Sequence, residues 1–118
     1  MIAGTDCGTA PIASHGGLAN EVSAMNLAGL TNMDAIKSAT GESARALRVA
    51  DRIGTIRPGL RADLVALGSN PLDGIEALVD VQLVFRDGRP VAGPRLKSVA
   101  SDPNAPDAWK QLHDPRGN

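Results

Sequence analysis

The sequence predicts a chain of mixed α and β structure, with helices in its first half and short strands in its second. Apolar residues recur at helical spacing between about residues 18 and 49. The later stretch "VQLVFRDGRPV" instead alternates, as a half-buried strand does, and Asp87-Gly88 within it is a strong hairpin signal. Because the two periods occupy separate parts of the chain, we expect helices first and strands after them.

Two or three helices are predicted between residues 18 and 49. The first is marked by the helical spacing of Leu18, Val22, Met25 and Gly29, and the glycine is a plausible stop. Thr31 is a good N-cap for the second, with Asp34 three residues on as a variant of the capping box. Thr40-Gly41 is expected to divide the rest into two helices, with the threonine capping the later one. One apolar face is predicted from Met33, Ile36, Thr40, Ala44 and Leu47.

The strand pattern begins at Ile53 and leads to a predicted turn at Pro58-Gly59. An apolar run of strand length follows at Leu64, Val65 and Leu67. A short helical turn is predicted from Ile75 to Leu78. The next strand is expected to place Val81, Leu83 and Phe85 on one face, and the Asp87-Gly88 hairpin leads into a last strand from Arg89 to Val91.

Composition excludes several classes of protein. The chain has 118 residues, 42% of them hydrophobic, and a formal charge of −1 with no basic stripe, so a nucleic-acid partner is not expected. No apolar run approaches the roughly 20 residues of a membrane span, which predicts a soluble protein. Cys7 is the only cysteine, so no internal disulfide can form, and a reducing, cytoplasmic location fits.

The polar, Pro-rich segment after Gly93 has no period and is expected to be a mobile tail, pinned by Trp109 and Leu112. The remaining elements do not obviously make a closed fold, since isolated strand edges must be paired or covered. We therefore expect the chain to be the end of a larger protein fold.

Four stretches of the sequence carry a family resemblance, and together they cover about residues 2 to 92. They are "GTDCG" with the later "HGG" and Glu21, "AGLTNMDAIKSATGESARAL", "DRIGTIRPGLRADLVALGSNPL" and "VQLVFRDGRPV". In this order they resemble the C-terminal portion of amidohydrolase-superfamily enzymes, most closely the imidazolonepropionase-like and Xaa-Pro dipeptidase-like members. The sequence departs from the family pattern at Arg48, where Gly is usual, and at Leu60 and Arg61, where Lys is frequent.

The resemblance implies a fold of the α/β class: a distorted (β/α)8 TIM-like barrel and a small β-sandwich domain built from both chain termini. Residues 1–50 would be the end of the barrel, with its last strand at Ile2 and Ala3 and its closing helices. Residues 51–93 would be the C-terminal strands of the sandwich, and residues 94–118 the tail.

The resemblance also implies a role for Asp6. In the family a Zn²⁺ or another divalent metal activates water at the C-terminal ends of the barrel strands, which is where catalytic residues of such barrels lie. By resemblance Asp6 is a metal ligand and the general base, then the general acid. From the residues of "GTDCG" alone, the favoured interpretation of Asp6 is an ordinary turn residue whose side chain caps the turn, and the downstream blocks reverse this preference.

Other candidate residues have weaker signals. By resemblance His15 could face the substrate, whereas a lone His beside glycines is more often a solvent-exposed loop residue. Glu21 is expected to stabilise the start of a helix, with a pocket-lining role as its alternative. Cys7 is expected to be a small packed residue, and Asp63 a structural carboxylate.

The implied function is hydrolysis of a C–N bond in a small-molecule or dipeptide substrate. The family's other metal ligands are an H-x-H pair, a carboxylated Lys or Glu, and two further His, and none of these can be found in this sequence. We therefore expect the 118-residue chain to be inactive alone. It would need the missing N-terminal barrel portion, or it would self-associate. The alternative is a free-standing, non-catalytic interaction module.

Overall fold

The computed structural model describes residues 1–6 and 17–104. The elements are α1 (Leu18–Leu27), α2 (Asn32–Ser38), α3 (Gly41–Ala46), β1 (Leu64–Leu67), a 3-10 helix (Ile75–Val79), β2 (Val81–Arg86), β3 (Arg89–Ala92) and α4 (Leu96–Ala100). The predicted order of helices followed by strands is confirmed, and so is the short helical turn before β2.

The end of α1 is set by Gly29, as predicted. Gly29 has a φ of +109°, a conformation that favours glycine. Its N–H donates to the carbonyl of Asn26, and the N–H of Leu30 donates to the carbonyl of Met25. This pair of bonds is a Schellman motif, which satisfies carbonyls that the helix leaves free at its C-terminus.

The N-terminus of α2 is capped by Thr31, also as predicted. The backbone N–H of Asp34 donates to Thr31 Oγ1 over 3.1 Å, and the threonine hydroxyl donates to Asp34 Oδ2 over 2.7 Å. The carboxylate also lies in the first turn, where it meets the positive end of the helix dipole.

Replacing Thr31 with Ala is expected to lower the free energy of unfolding by about 1 kcal/mol, because the N–H of Asp34 loses its acceptor. Urea unfolding followed by circular dichroism measures this loss. Thr55→Ala is the control, since Thr55 is exposed and lies outside the helices and strands. An equal effect of the two substitutions would contradict the capping role of Thr31.

Thr40-Gly41 separates α2 from α3, which confirms the predicted division, but the role predicted for Thr40 was wrong. Its side chain makes no cap bond to α3 and instead donates to the carbonyl of Ile36 over 2.9 Å.

The predicted apolar face across these two helices was only partly correct: Ala44 is buried and Ile36 packs, partly buried, against the core, but the other positions do not form a buried face. Met33 is 42% exposed and Leu47 72% exposed. The buried positions are instead small residues, namely Ala35, Ser38, Gly41 and Ala44. The break at Thr40 starts a new helix, so one continuous helical period does not describe both segments.

The core joins the first two helices to the 3-10 helix. Its buried cluster is Val22, Met25, Ala35 and Ile75. Ala35 has no exposed surface, so the helices approach closely at this point. The chain has few aromatic residues, and this core is accordingly built from aliphatic and small side chains.

Strands β1, β2 and β3 form an antiparallel sheet in that order. The predicted hairpin is confirmed: Asp87 and Gly88 have φ values of 50° and 75°, as a type I′ turn requires at both central positions.

Two predictions about the strands were wrong. No strand forms near Ile53 among the described residues, and Ile56 is 88% exposed. In β2 a register shift pairs Leu83 with Ala66 but Val81 with Leu67. Val81 therefore lies on the opposite face from Leu83, because neighbouring residues of β1 point to opposite sides.

Helix α4 lies within the segment that the sequence analysis expected to be a tail. It contacts β3, and its Val99 is half-buried. Trp109 and Leu112 lie outside the described residues. The division of the chain at residues 50 and 93 stays a prediction.

In the part of the chain that the structure describes, no helix is long and apolar enough to cross a membrane. Residues 1–6 form no strand pairing there, and Ile2 is 55% exposed. The barrel strand predicted at Ile2 and Ala3 stays a prediction.

Candidate functional site

Asp6 lies outside the helices and strands, at the end of the described N-terminal segment, and is exposed. Its φ is 47°, in the left-handed region that few residues other than Gly, Asn and Asp adopt. A residue held in this region is found both in tight turns and at functional sites. The backbone geometry is therefore compatible with both interpretations of Asp6.

The segment that carries Asp6 is attached to the C-terminus of α2. The N–H of Ala3 donates to the carbonyl of Ser38 over 3.1 Å, and Ala3 packs against the core cluster. The hydroxyl of Ser43, in α3, donates to the same carbonyl over 2.6 Å. One carbonyl thus links α2, α3 and the segment three residues before Asp6.

Ser38 itself is buried, with 1% of its surface exposed. Its hydroxyl donates to the carbonyl of Ala35 over 2.6 Å and contacts Met25 Sδ at 3.3 Å. Because its polar groups are satisfied and its side chain is enclosed, Ser38 gives the Ala3 segment a rigid attachment point. Neither Ser38 nor Ser43 stands out in the sequence, since a serine within a helix carries no specific signal.

Two other carboxylates behave as the sequence predicted. Glu21 lies in the first turn of α1, where the helix dipole favours a negative charge. Asp63 accepts a hydrogen bond from the N–H of Asp87 over 2.9 Å and forms an ion pair with Arg61 at 3.1 Å. Arg61 also donates to Asp87 Oδ1 over 3.0 Å. Arg61, Asp63 and Asp87 thus connect the hairpin turn to the segment just before β1. Asp63 is thus confirmed as a structural carboxylate.

The structure does not assemble a metal centre from the described residues. Residues 1–6 and 17–104 contain no group of three or more His, Cys, Asp or Glu side chains that could hold a metal ion. A catalytic zinc site needs about three protein ligands, so Asp6 alone does not fit one. His15 and Cys7 lie outside the described residues, and the structure does not place them relative to Asp6.

The sequence match defines the class of this protein. Residues 1–91 match the model of the amidohydrolase family, so the chain belongs to that family. The resemblance inferred from the sequence stretches is thereby confirmed.

Several solved structures of hydrolases are similar to this chain. A Xaa-Pro dipeptidase with methionine bound in its active site is 40% identical, with a TM-score of 0.63, and the match covers 67% of this chain and 20% of that one. Molinate hydrolase is 30% identical, with a TM-score of 0.64, over 67% of this chain and 17% of its own. A putative prolidase from Bifidobacterium longum is 30% identical, with a TM-score of 0.62, over 81% of this chain and 22% of its own.

The chain thus spans about a fifth of the length of the solved relatives it matches. None of the curated proteins matches it.

Proposed function

We propose that this chain is the C-terminal portion of a metal-dependent amidohydrolase that cleaves a C–N bond with a metal-activated water. The observation that carries the proposal is the family match over residues 1–91, which includes Asp6. The hydrolase names of the structural relatives support the reaction class. An amide, peptide or cyclic amide bond is the proposed target.

Asp6 is the proposed catalytic residue of this chain. A short carboxylate on a turn has few rotatable bonds, so it can serve as a metal ligand and as a base without a flexible stem. The left-handed backbone of Asp6 and the hydrogen bond that attaches Ala3 to α2 support a defined orientation of the Asp6 carboxylate. In the complete site the metal, Zn²⁺ or another divalent ion, would supply an activated water near neutral pH.

His15 is proposed to contact the substrate, from its place in the "HGG" element nine residues after Asp6 in the sequence. The remaining metal ligands are proposed to lie in the barrel portion that this chain does not supply. The isolated chain is therefore proposed to be inactive, and its partner to be that portion of the fold or a second copy of the chain.

A chimera tests the proposal. In it this chain replaces the matching fifth of the Xaa-Pro dipeptidase relative, so that the other ligands are restored. We expect the chimera to hydrolyse Xaa-Pro dipeptides and the isolated chain to hydrolyse none. A folded chimera without hydrolytic activity, with the parent dipeptidase active in the same assay, would count against the proposal.

A further inference from the structure

The carbonyl of Ser38 accepts two hydrogen bonds from outside its own helix. The N–H of Ala3 donates to it over 3.1 Å, and the hydroxyl of Ser43 donates to it over 2.6 Å. Ser38 is the last residue of α2, so its carbonyl is one of those that the helix leaves without an intrahelical partner. A carbonyl oxygen has two lone pairs, and these two donors account for both of them.

The two donors come from different parts of the chain. Ala3 belongs to the N-terminal segment that carries Asp6, whereas Ser43 lies within α3. The Ser43 hydroxyl is not used inside its own helix, because its acceptor lies before the break at Thr40. The bond therefore joins α3 to the end of α2 at the point where Ala3 attaches.

Helix α3 presents this hydroxyl from a fixed position. Ala44, the next residue, is 3% exposed, and Gly54 approaches its side chain so closely that an added Cβ would collide with it. The N–H of Val49 donates to the carbonyl of Ala44 over 2.9 Å and closes the C-terminal end of the helix. Because α3 is held in this way, the hydrogen bond from Ser43 sets the direction of the Ser38 carbonyl.

The direction of this carbonyl bears on Asp6. The N–H of Ala3 must lie close to a lone-pair direction of the carbonyl oxygen to keep its hydrogen bond. Asp6 follows Ala3 after a stretch of chain that spans at most roughly 10 Å, so a tilt of the carbonyl is passed on to the Asp6 carboxylate. Misplacement of a catalytic group by about 1 Å is enough to lower a rate by about two orders of magnitude.

We propose that Ser43 is a positioning residue for Asp6. Its hydroxyl fixes the Ser38 carbonyl, and that carbonyl holds the N–H of Ala3 and with it the segment that places Asp6. The role in hydrolysis rests on the function proposed above for Asp6. The alternative is that the Ser43 hydroxyl only caps the C-terminus of α2, which would stabilise the helices without any effect on Asp6.

The backbone order of the isolated chain tests the positioning without any hydrolysis. In Ser43→Ala the Ser38 carbonyl loses its second donor, and we expect the NMR order parameter of the Asp6 N–H to fall by about 0.2 from its parental value. Ser43→Thr keeps a hydroxyl and should restore the parental value. An unchanged order parameter at Asp6 in Ser43→Ala would overturn the proposal.

The chimera with the Xaa-Pro dipeptidase relative tests the consequence for hydrolysis. Ser43→Ala should lower kcat about 10-fold and change KM by less than about twofold, because Ser43 acts on the orientation of a reacting group and not on substrate binding. The melting temperature should fall by less than about 3 °C, because Ser43 is only half-buried and Ala is a good helix former. Ser43→Thr should recover most of the lost kcat.

Ser23→Ala is the matched control. Ser23 is also half-buried in a helix, and its hydroxyl donates over 2.9 Å to the carbonyl of Ala19 within α1. The substitution thus removes a hydrogen bond of the same kind that has no part in the attachment of Ala3. It should leave kcat and the order parameter of Asp6 at their parental values. Equal losses of kcat in Ser23→Ala and Ser43→Ala would assign the effect to helix stability and reject the positioning role.

The two readouts separate the role of Ser43 from the proposed function. A chimera that hydrolyses nothing, while Ser43→Ala loosens Asp6 in the isolated chain, would remove the function and leave Ser43 as the residue that positions Asp6. An active chimera that keeps its parental kcat in Ser43→Ala would overturn the role of Ser43 and leave the function standing.

Discussion

Replacing Asp6 by Asn is expected to lower kcat/KM of the chimera by about 10³-fold, because the amide cannot take a proton from the attacking water. The fold should tolerate this change. Asn adopts the left-handed backbone as readily as Asp, and Asp6 is exposed rather than part of the core. The measurement is steady-state hydrolysis of a Xaa-Pro dipeptide, with the melting temperature recorded for each variant.

Asp51→Asn is the matched control for charge. The Asp51 side chain is 77% exposed and approaches Arg52 only at 4.0 Å, so its removal should leave both activity and stability unchanged. An Asp6→Asn chimera with activity close to that of its parent would mean that Asp6 is an ordinary turn residue. The catalytic role would then have to belong to another group.

Gly54→Ala is expected to have the largest effect on stability, a loss of about 3 kcal/mol in the free energy of unfolding. Gly54 has a φ of +100°, and an added Cβ would collide with the side chain of Ala44 while lying 3.3 Å from the Cα of Gly41. The new methyl group would therefore both strain the backbone and push α3 away from the loop that follows it. Urea unfolding followed by circular dichroism measures the loss.

Gly29→Ala separates backbone strain from the steric collision with α3 as causes of the loss in Gly54→Ala. Gly29 has a similar φ of +109°, but an added Cβ there would have nothing within 4 Å. It should lose only the backbone contribution, about 1 kcal/mol. Adding Ala44→Gly to Gly54→Ala should recover part of the difference, because the colliding side chain is gone. Equal losses for Gly29→Ala and Gly54→Ala would contradict the close approach of α3.

The helix end, the helix cap and the hairpin turn were predicted correctly because the contacts that form them lie between residues close in the sequence. Gly29 supplies a conformation that other residues resist, Thr31 supplies an acceptor for the N–H of Asp34, and Asp87-Gly88 matches the twist of a two-residue hairpin. Each of these depends on residues no more than five positions apart. The structure places each as the sequence predicted.

Features that depend on distant contacts were not predicted. The close approach of Gly54 to α3 requires knowing that the chain turns back after α3, and the sequence spacing gives no sign of it. The burial of Ser38 likewise depends on where the Ala3 segment attaches. Helix α4 has only five residues, too few for a helical period to appear.

The candidate site was predictable only through family resemblance. The residue pattern around Asp6 fits a turn as well as a metal ligand, and the three-dimensional geometry of Asp6 is compatible with both. A metal centre requires several side chains brought together by the fold, and the described residues do not include such a group. The catalytic interpretation of Asp6 is supported by the family match over residues 1–91.

The zinc dependence of hydrolysis by the chimera is the decisive measurement for the proposed metal-dependent hydrolase. The chimera is stripped of metal with a chelator and assayed on a Xaa-Pro dipeptide before and after addition of Zn²⁺, beside the isolated chain treated in the same way. The account predicts that the stripped chimera loses its activity and regains it with the metal, and that the isolated chain has none in either state. Hydrolysis by the isolated chain, or undiminished hydrolysis by the metal-free chimera, would contradict it.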